Sequence, residues 1–107
     1  MAKKINMPFQ PEAKEPMLSG RKKATTRTRR YGEPGDWFEA FGKTFVLTWV
    51  YETMLDSVAY HFYWEEGFDD MYEFIDYWDR LHPRVKYRDR PKRKVYLHRF
   101  VQKELDG

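Results

Sequence analysis

The stretch from Lys43 to Tyr51 constrains the fold of this chain most. Read as a strand, it sends alternate side chains to opposite faces. Phe45, Leu47, Trp49 and Tyr51 then share one face, and Val46 and Val50 occupy the other. A strand that is apolar on both faces must be covered on both. It therefore fits a small barrel or a covered sheet better than an exposed hairpin. At 107 residues the chain is expected to form one domain. An aromatic share of 19%, including four Trp, supplies enough large apolar surface for one core, although 35% of the residues are charged.

The neighbouring segments extend this reading. Ile5, Met7 and Phe9 alternate as in a first strand, and Pro11 opens a short helix through Glu12 to Leu18 with Gly20 just past its end. Gly32 to Asp36 is a turn, and Trp37 to Phe41 is a strand joined to the central one at Gly42. Ser57 is placed to cap a helix from Val58 to Glu66 that Gly67 closes. A second helix begins at Asp69 or Asp70, where Asp70 with Glu73 resembles a capping box. It carries Met71, Phe74, Ile75, Trp78 and Leu81 at helical spacing and ends before Pro83. Arg84 to Arg88 alternates cation with apolar residue, which predicts an edge strand with a basic face. Asp89-Arg90-Pro91 predicts a turn, and Lys94 to Val101 a last strand with Val95 and Leu97 inward. The order is not that of a parallel βαβ array. It predicts an α+β, mainly β, domain: a small, mostly antiparallel barrel of five or six strands with three short helices over its openings.

Charge is distributed more tellingly than the net +3 suggests. Residues 21–30 carry six cations and residues 84–94 carry seven, while residues 31–83 carry twelve Asp or Glu against only Lys43 and Arg80. If the fold unites the two basic segments, one face suits phosphate, and Arg29, Arg30, Lys86, Arg88, Arg90, Lys92 and Arg93 are its candidate RNA contacts. The plainer alternative is two solvated loops. There is no cysteine, which excludes disulfides, thiolate nucleophiles and Cys-ligated zinc. No apolar run approaches the length of a membrane span, and no apolar signal core follows Lys3-Lys4, so a soluble, cytoplasmic protein without membrane partners is expected, as a monomer. His61, His82 and His98 show no ligand spacing, and neither a metal nor another cofactor is expected.

The densest chemistry lies in Gly20 to Arg30, where Gly20, Lys22, Thr25 and Arg27 form the pattern Gly-x-Lys-x-x-Thr-x-Arg. Two cations and a hydroxyl so close together can hold an anion or turn the hydroxyl into a nucleophile. A threonine is a poor nucleophile until a neighbouring base takes its proton, and a lysine can be that base only where burial or nearby cations make its neutral form accessible. Lys22 and Thr25, three residues apart, would face opposite sides of an ideal strand, so they can share a site only on a turn or bulge. Trp37, Tyr63, Trp64 and Tyr87 are candidates for stacking on a base, with core packing as the alternative for each.

The segment Met17 to Arg27 resembles the signature of ASCH domains, which are similar in fold to PUA domains. Gly35-Asp36, Glu65-Glu66-Gly67-Phe68 with the helix after it, and His82-Pro83 match the same pattern in order and spacing, so the resemblance covers roughly residues 4–101, with flexible termini expected outside it. It implies a nucleoside- or RNA-handling module. Some of these domains are small amidohydrolases that remove the acetyl group from the exocyclic amine of acetylated cytidine, with a Lys, a Thr and a Glu as catalytic set. The matching positions are Lys22 as base, Thr25 as nucleophile and Glu66 as proton carrier, with Gly20, Arg21, Arg27 and Trp64 at the substrate. Lys23 and Thr26 offer the same spacing one residue later, although Gly20 and Arg27 favour the first register. A non-catalytic RNA-binding module that leans on Arg84 to Lys94 is the rival reading, and a ribonuclease is a third.

Overall fold

The computed structural model describes residues 1–103. Four antiparallel strands form a single sheet in the order β1-β4-β3-β2: β1 (Ala24–Arg27), β2 (Trp37–Ala40), β3 (Lys43–Met54) and β4 (Lys94–Gln102). Three short helices complete it: α1 (Lys14–Ser19), α2 (Leu55–His61) and α3 (Met71–Leu81). The expected α+β, mainly β, antiparallel architecture is what the chain adopts. Two of the predicted strands are not strands, however, which leaves four among the described residues. The N-terminal segment makes a single parallel bridge, Lys4 to Trp37, although Ile5 and Met7 point into the core as their alternation predicts. The predicted edge strand at Arg84–Arg88 is a turn followed by a 3-10 helix at Tyr87–Asp89. Local acceptors decide this. The Asp79 carboxylate takes the Tyr87 N–H at 2.7 Å, and Asp89 takes that of Lys86 at 3.0 Å, so these donors are not left for a sheet ladder.

Strand β3 sends its buried residues, Phe45, Leu47 and Val50, into one core cluster, and its register changes midway. Ladder pairing slips between Leu47 and Trp49, a bulge at Thr48. Phe45 and Leu47 are buried before the slip and Val50 after it. Trp49 and Tyr51 are turned outward, where their rings stack 4.9 Å apart. The expectation that Phe45, Leu47, Trp49 and Tyr51 share one face fails for that reason. One core cluster lies on the Phe45 side, where the Phe38, Phe45 and Phe100 rings meet at 5.5 to 5.6 Å. The other joins Val95 of the opposite face to Leu55, Val58 and Ala59 of α2 and to Phe74 and Trp78 of α3.

Helix α2 begins at Leu55, earlier than Ser57 predicts, because carbonyls of the loop before β4 satisfy its first donors: Leu55 N–H bonds to Arg93 O and Asp56 N–H to Pro91 O, each at 2.8 Å. It ends at His61, and residues 62–66 continue as hydrogen-bonded turns. Gly67, at φ +95°, closes them as foreseen: Phe68 N–H bonds to Tyr63 O, and Gly67 N–H to Trp64 O, the bond pair of a Schellman cap. Asp70 caps α3 by accepting from Glu73 N–H at 2.9 Å, and the Glu73 carboxylate reaches back to Asp69 N–H at 2.8 Å. At the start of the chain Lys3 is held by Asp36 and by the amide of Trp37. The expected flexible C-terminal tail falls largely outside the described residues.

Candidate functional site

β1 is an edge strand, and the site lies at its open side. The chain reaches it from α1 through Gly20, and Lys22 N–H is held by Pro16 O at 2.9 Å. Lys23 and Ala24 then donate to the same carbonyl, that of Glu65, at 2.6 and 3.0 Å. These bonds tie the Gly20–Ala24 segment to the turns that end in Gly67, and so bring Glu66 to Lys22 across 44 residues of sequence. Lys22 Nζ lies 2.7 Å from Glu66 Oε1, with both side chains about 95% buried or more. The other carboxylate oxygen of Glu66, Oε2, accepts the Thr26 hydroxyl proton in a short hydrogen bond. The result is a buried chain, Lys22–Glu66–Thr26.

This chain borders a cavity of about 240 Å³, whose lining includes Lys22, Thr25, Thr26, Arg27 and Glu66. Much of the remaining wall is aromatic: Phe9 and Tyr31 on one side, and Phe74, Tyr77, Trp78 and His82 from the α3 side, with Pro8, Gln10, Thr28 and Leu81 completing it. Thr25 and Thr26 are consecutive in a strand and pair with His98 and Leu97, on opposite faces of the sheet. Both reach the cavity because it wraps the free edge of β1. The same geometry lets Lys22 and Thr25 meet: Lys22 lies on the irregular segment before the strand begins.

Of the expected site residues, Lys22, Thr25, Glu66 and Arg27 come together here. The hydroxyl that Glu66 holds is that of Thr26, from the alternative register. Thr25 Oγ1 instead accepts from Arg27 Nε at 3.1 Å. Arg27 is further fixed by Pro8 O at 2.6 Å and lies over the rings of Phe9 and Tyr31, at 4.8 and 5.2 Å. Gly20, Arg21 and Trp64 do not line this cavity. They border a separate, shallower depression, where Arg21 pairs with Glu15 and Lys23 lies over the exposed Trp64 ring. Sequence reasoning passed over Tyr77, Trp78 and His82, since helical spacing marks Trp78 as core and nothing local shows that this stretch of α3 borders a cavity.

His82 lines the cavity, and His98 lies behind its lining residues Tyr31 and Thr25. His98 is fully buried on β4. Its Nε2 accepts Tyr31 N–H at 3.0 Å, which assigns the ring proton to Nδ1, facing the carbonyls of Tyr96 (3.1 Å) and Thr25 (3.4 Å). Burial lowers its pKa to about 4, and the cations Arg27 and Arg30 act in the same direction. His82 stacks on Trp78 with centroids 3.9 Å apart, and burial also lowers its pKa. The Tyr77 hydroxyl is pushed up by burial, with Glu12 and Glu66 adding to the effect. Among the described residues no three His, Asp or Glu side chains gather as a metal site would require, and no helix is long and apolar enough to cross a membrane.

The basic segments meet at one end of the sheet. The antiparallel register that pairs Arg27 with Tyr96 puts the chain after β1 beside the chain before β4. Arg30 there is bound by Glu33 (2.5 Å), Lys92 by Asp56 (2.6 Å) and, more loosely, Lys94 by Glu52 (4.0 Å). Arg29 lies over Tyr31 at 4.2 Å, and Lys86, Arg88 and Arg90 are exposed.

A four-stranded antiparallel half-barrel with helices on it, opening on an edge-strand cavity, is a small PUA-like α+β module. Solved structures bear out the more particular resemblance: the chain has the fold of an ASCH domain. It is similar to the ASCH domain from Lactobacillus crispatus JV V101, at 14% identity over 94% of this chain and 79% of that one, with a TM-score of 0.60. The hypothetical protein PH0355 superposes with a TM-score of 0.69 at 18% identity, covering 96% of this chain and all of that one. Protein PF0455 from Pyrococcus furiosus gives 0.58 at 16% identity, with 97% and 98% covered. No protein-family model matches the chain, and no curated protein matches it in sequence.

Proposed function

We propose that the chain is a small hydrolase that removes an acyl group from the exocyclic amine of a cytosine nucleoside. The observation that carries this reading is the buried Lys22–Glu66–Thr26 chain at the edge of an aromatic cavity. A carboxylate already hydrogen-bonded to a hydroxyl is placed to take its proton, and a largely aromatic-lined space of about 240 Å³ suits a nucleobase better than a polymer.

The steps follow from these contacts. Thr26 Oγ1 attacks the amide carbonyl carbon while its proton passes to Glu66 Oε2, and the Lys22 ammonium, with Arg27 close by, offsets the negative charge that develops on the carbonyl oxygen. Glu66 gives the proton to the departing exocyclic nitrogen, the C–N bond breaks, and an acyl ester remains on Thr26. Water, deprotonated by Glu66, attacks that ester. The carboxylic acid leaves as Thr26 recovers its proton. This sequence moves Lys22 from the role of base to that of charge stabiliser, because its Nζ is already committed to Glu66. It also passes the role of nucleophile from Thr25 to Thr26, with Thr25 and Arg27 orienting the carbonyl. Incubation with N(4)-acetylcytidine, followed by chromatography of cytidine and acetate, tests the reading. Loss of turnover in Thr26→Ala with retention in Thr25→Ala supports it, and the reverse returns the nucleophile to Thr25.

A second reading has one observation in its favour, the meeting of both basic segments at one end of the sheet. In it, Arg29, Lys86, Arg88 and Arg90 hold the phosphates of an RNA. Binding would then weaken with salt by roughly 0.7 to 0.9 of a log unit per log unit of salt for each phosphate contact. A flat salt dependence speaks against it.

A further inference from the structure

We propose that the main-chain N–H of Thr26 is a catalytic donor, hydrogen-bonding the acyl carbonyl oxygen of the substrate as Thr26 Oγ1 attacks it. This rests on the reading of Thr26 as the nucleophile. β1 is an edge strand of the sheet, with β4 on one side only. Its ladder phase is fixed where it begins, because Phe100 N–H bonds to Lys23 O at 2.9 Å. In an antiparallel pair, positions that exchange hydrogen bonds alternate with positions that do not. The register therefore turns the N–H groups of Thr25 and Arg27 toward His98 and Tyr96, and those of Ala24 and Thr26 away from β4. Ala24 agrees with this phase: its N–H bonds outward, to Glu65 O at 3.0 Å. The Thr26 N–H has no such partner, main-chain or side-chain, among the described residues. What faces it is the cavity. Thr25 and Thr26 project from opposite faces of β1 and both line that space, so it passes around the free edge to which this N–H points. An unpaired main-chain donor is rare on a buried residue such as Thr26. Only three bonds separate its nitrogen from Oγ1, so a carbonyl attacked by Oγ1 brings its oxygen within reach of the N–H, as where a nucleophile's own amide serves an oxyanion hole. As the Oγ1–C bond forms, the hydroxyl proton passes to Glu66 Oε2 and the carbonyl π electrons move onto the oxygen, which accepts from Thr26 N–H. Lys22 is less free for that part, since its Nζ is held by Glu66 Oε1 and Glu66 O.

Two experiments test this, the first without turnover. 15N-labelled Thr26→Ala keeps the N–H and lacks the nucleophile. Its position-26 amide proton should move downfield as N(4)-acetylcytidine is added, and stay in place with cytidine, which has no acyl carbonyl. If other cavity resonances respond to N(4)-acetylcytidine while that amide stays fixed, the inference is overturned though the nucleoside reading stands. If neither ligand binds, both fall. In the second experiment the chain is assembled by ligation with the α-hydroxy analogue of threonine at position 26, which keeps the hydroxyl and replaces the N–H by an ester oxygen. Its kcat for N(4)-acetylcytidine should fall about a hundredfold or more with KM little changed. An ester variant that folds and turns over like the wild type overturns the inference. Should Thr26→Ala fail to fold, the ester variant decides alone.

Discussion

Removing either partner of the Lys22–Glu66 pair should destabilise the protein far more than removing both. The two side chains are about 95% buried or more and meet at 2.7 Å. Lys22→Met leaves the Glu66 carboxylate buried with only the Thr26 hydroxyl to hold it, and Glu66→Leu leaves the Lys22 ammonium with no carboxylate. An uncompensated buried charge costs about 3–5 kcal/mol. For a domain of this size that corresponds to a fall in Tm of roughly 12–40 °C. The double variant Lys22→Met/Glu66→Leu removes both charges and leaves the Thr26 donor without its acceptor and the Glu66 main-chain carbonyl without the Lys22 Nζ, which costs about 1–3 kcal/mol. The triple variant with Thr26→Val removes that donor as well and should approach wild-type stability. Urea unfolding of the wild type, both singles, the double and the triple measures this, and the cycle should give a coupling of at least about 3 kcal/mol between Lys22 and Glu66. Singles within about 1 kcal/mol of wild type, or additive losses in the double, would refute the buried, mutually dependent arrangement on which the proposed chemistry rests.

Three further outcomes are expected. His98, with its pKa held near 4 by burial, stays neutral in the folded chain while the unfolded chain takes up a proton near pH 6.5, so its contribution is complete above pH 6.5 and is lost as the pH falls toward 4. The loss is on the order of 3 kcal/mol, and chemical denaturation at stepped pH should show a slope across that window that His98→Gln removes. Gly67→Ala should cost at least about 1 kcal/mol, because φ is +95° and the new Cβ would meet Lys22 Cβ at 3.2 Å and Pro16 Cβ at 3.3 Å; turnover should fall with it as Lys22 is displaced, whereas unchanged thermal unfolding and turnover would contradict the tight packing there. Reversal of Arg88 and Arg90 to Glu should flatten the salt dependence of RNA binding if those cations hold phosphate, measured by fluorescence anisotropy across a salt series, and leave it unchanged if they are only solvated.

Where local chemistry decided the outcome, the sequence already showed it. Gly20 and Gly67 close their segments and Asp70 caps α3 as residue type predicts. The failures have non-local causes. Ser57 is a competent cap, but carbonyls of Pro91 and Arg93 already serve the start of α2, 35 and more residues away in sequence. The alternation at Arg84–Arg88 is that of a strand, yet Asp79 and Asp89 claim its donors. The bulge at Thr48 inverts the second half of β3, and no residue there announces it. At the site, the Lys-x-x-Thr spacing and Glu66 could be found by resemblance. That Glu66 would hold Thr26 rather than Thr25 depends on how the edge strand faces the turns before Gly67, which spacing alone does not contain. Thr26 was visible only as a hydroxyl, since its unpaired N–H follows from the place of β1 at the sheet edge.

The most direct measurement is the turnover of N(4)-acetylcytidine by four proteins: wild type, Thr26→Ala, Thr25→Ala and Glu66→Gln, each checked for native unfolding behaviour. The account predicts stoichiometric cytidine and acetate from the wild type, at least a hundredfold loss in Thr26→Ala and Glu66→Gln, and a smaller loss in Thr25→Ala. No turnover by a folded wild type, or equal turnover by wild type and Glu66→Gln, would contradict it.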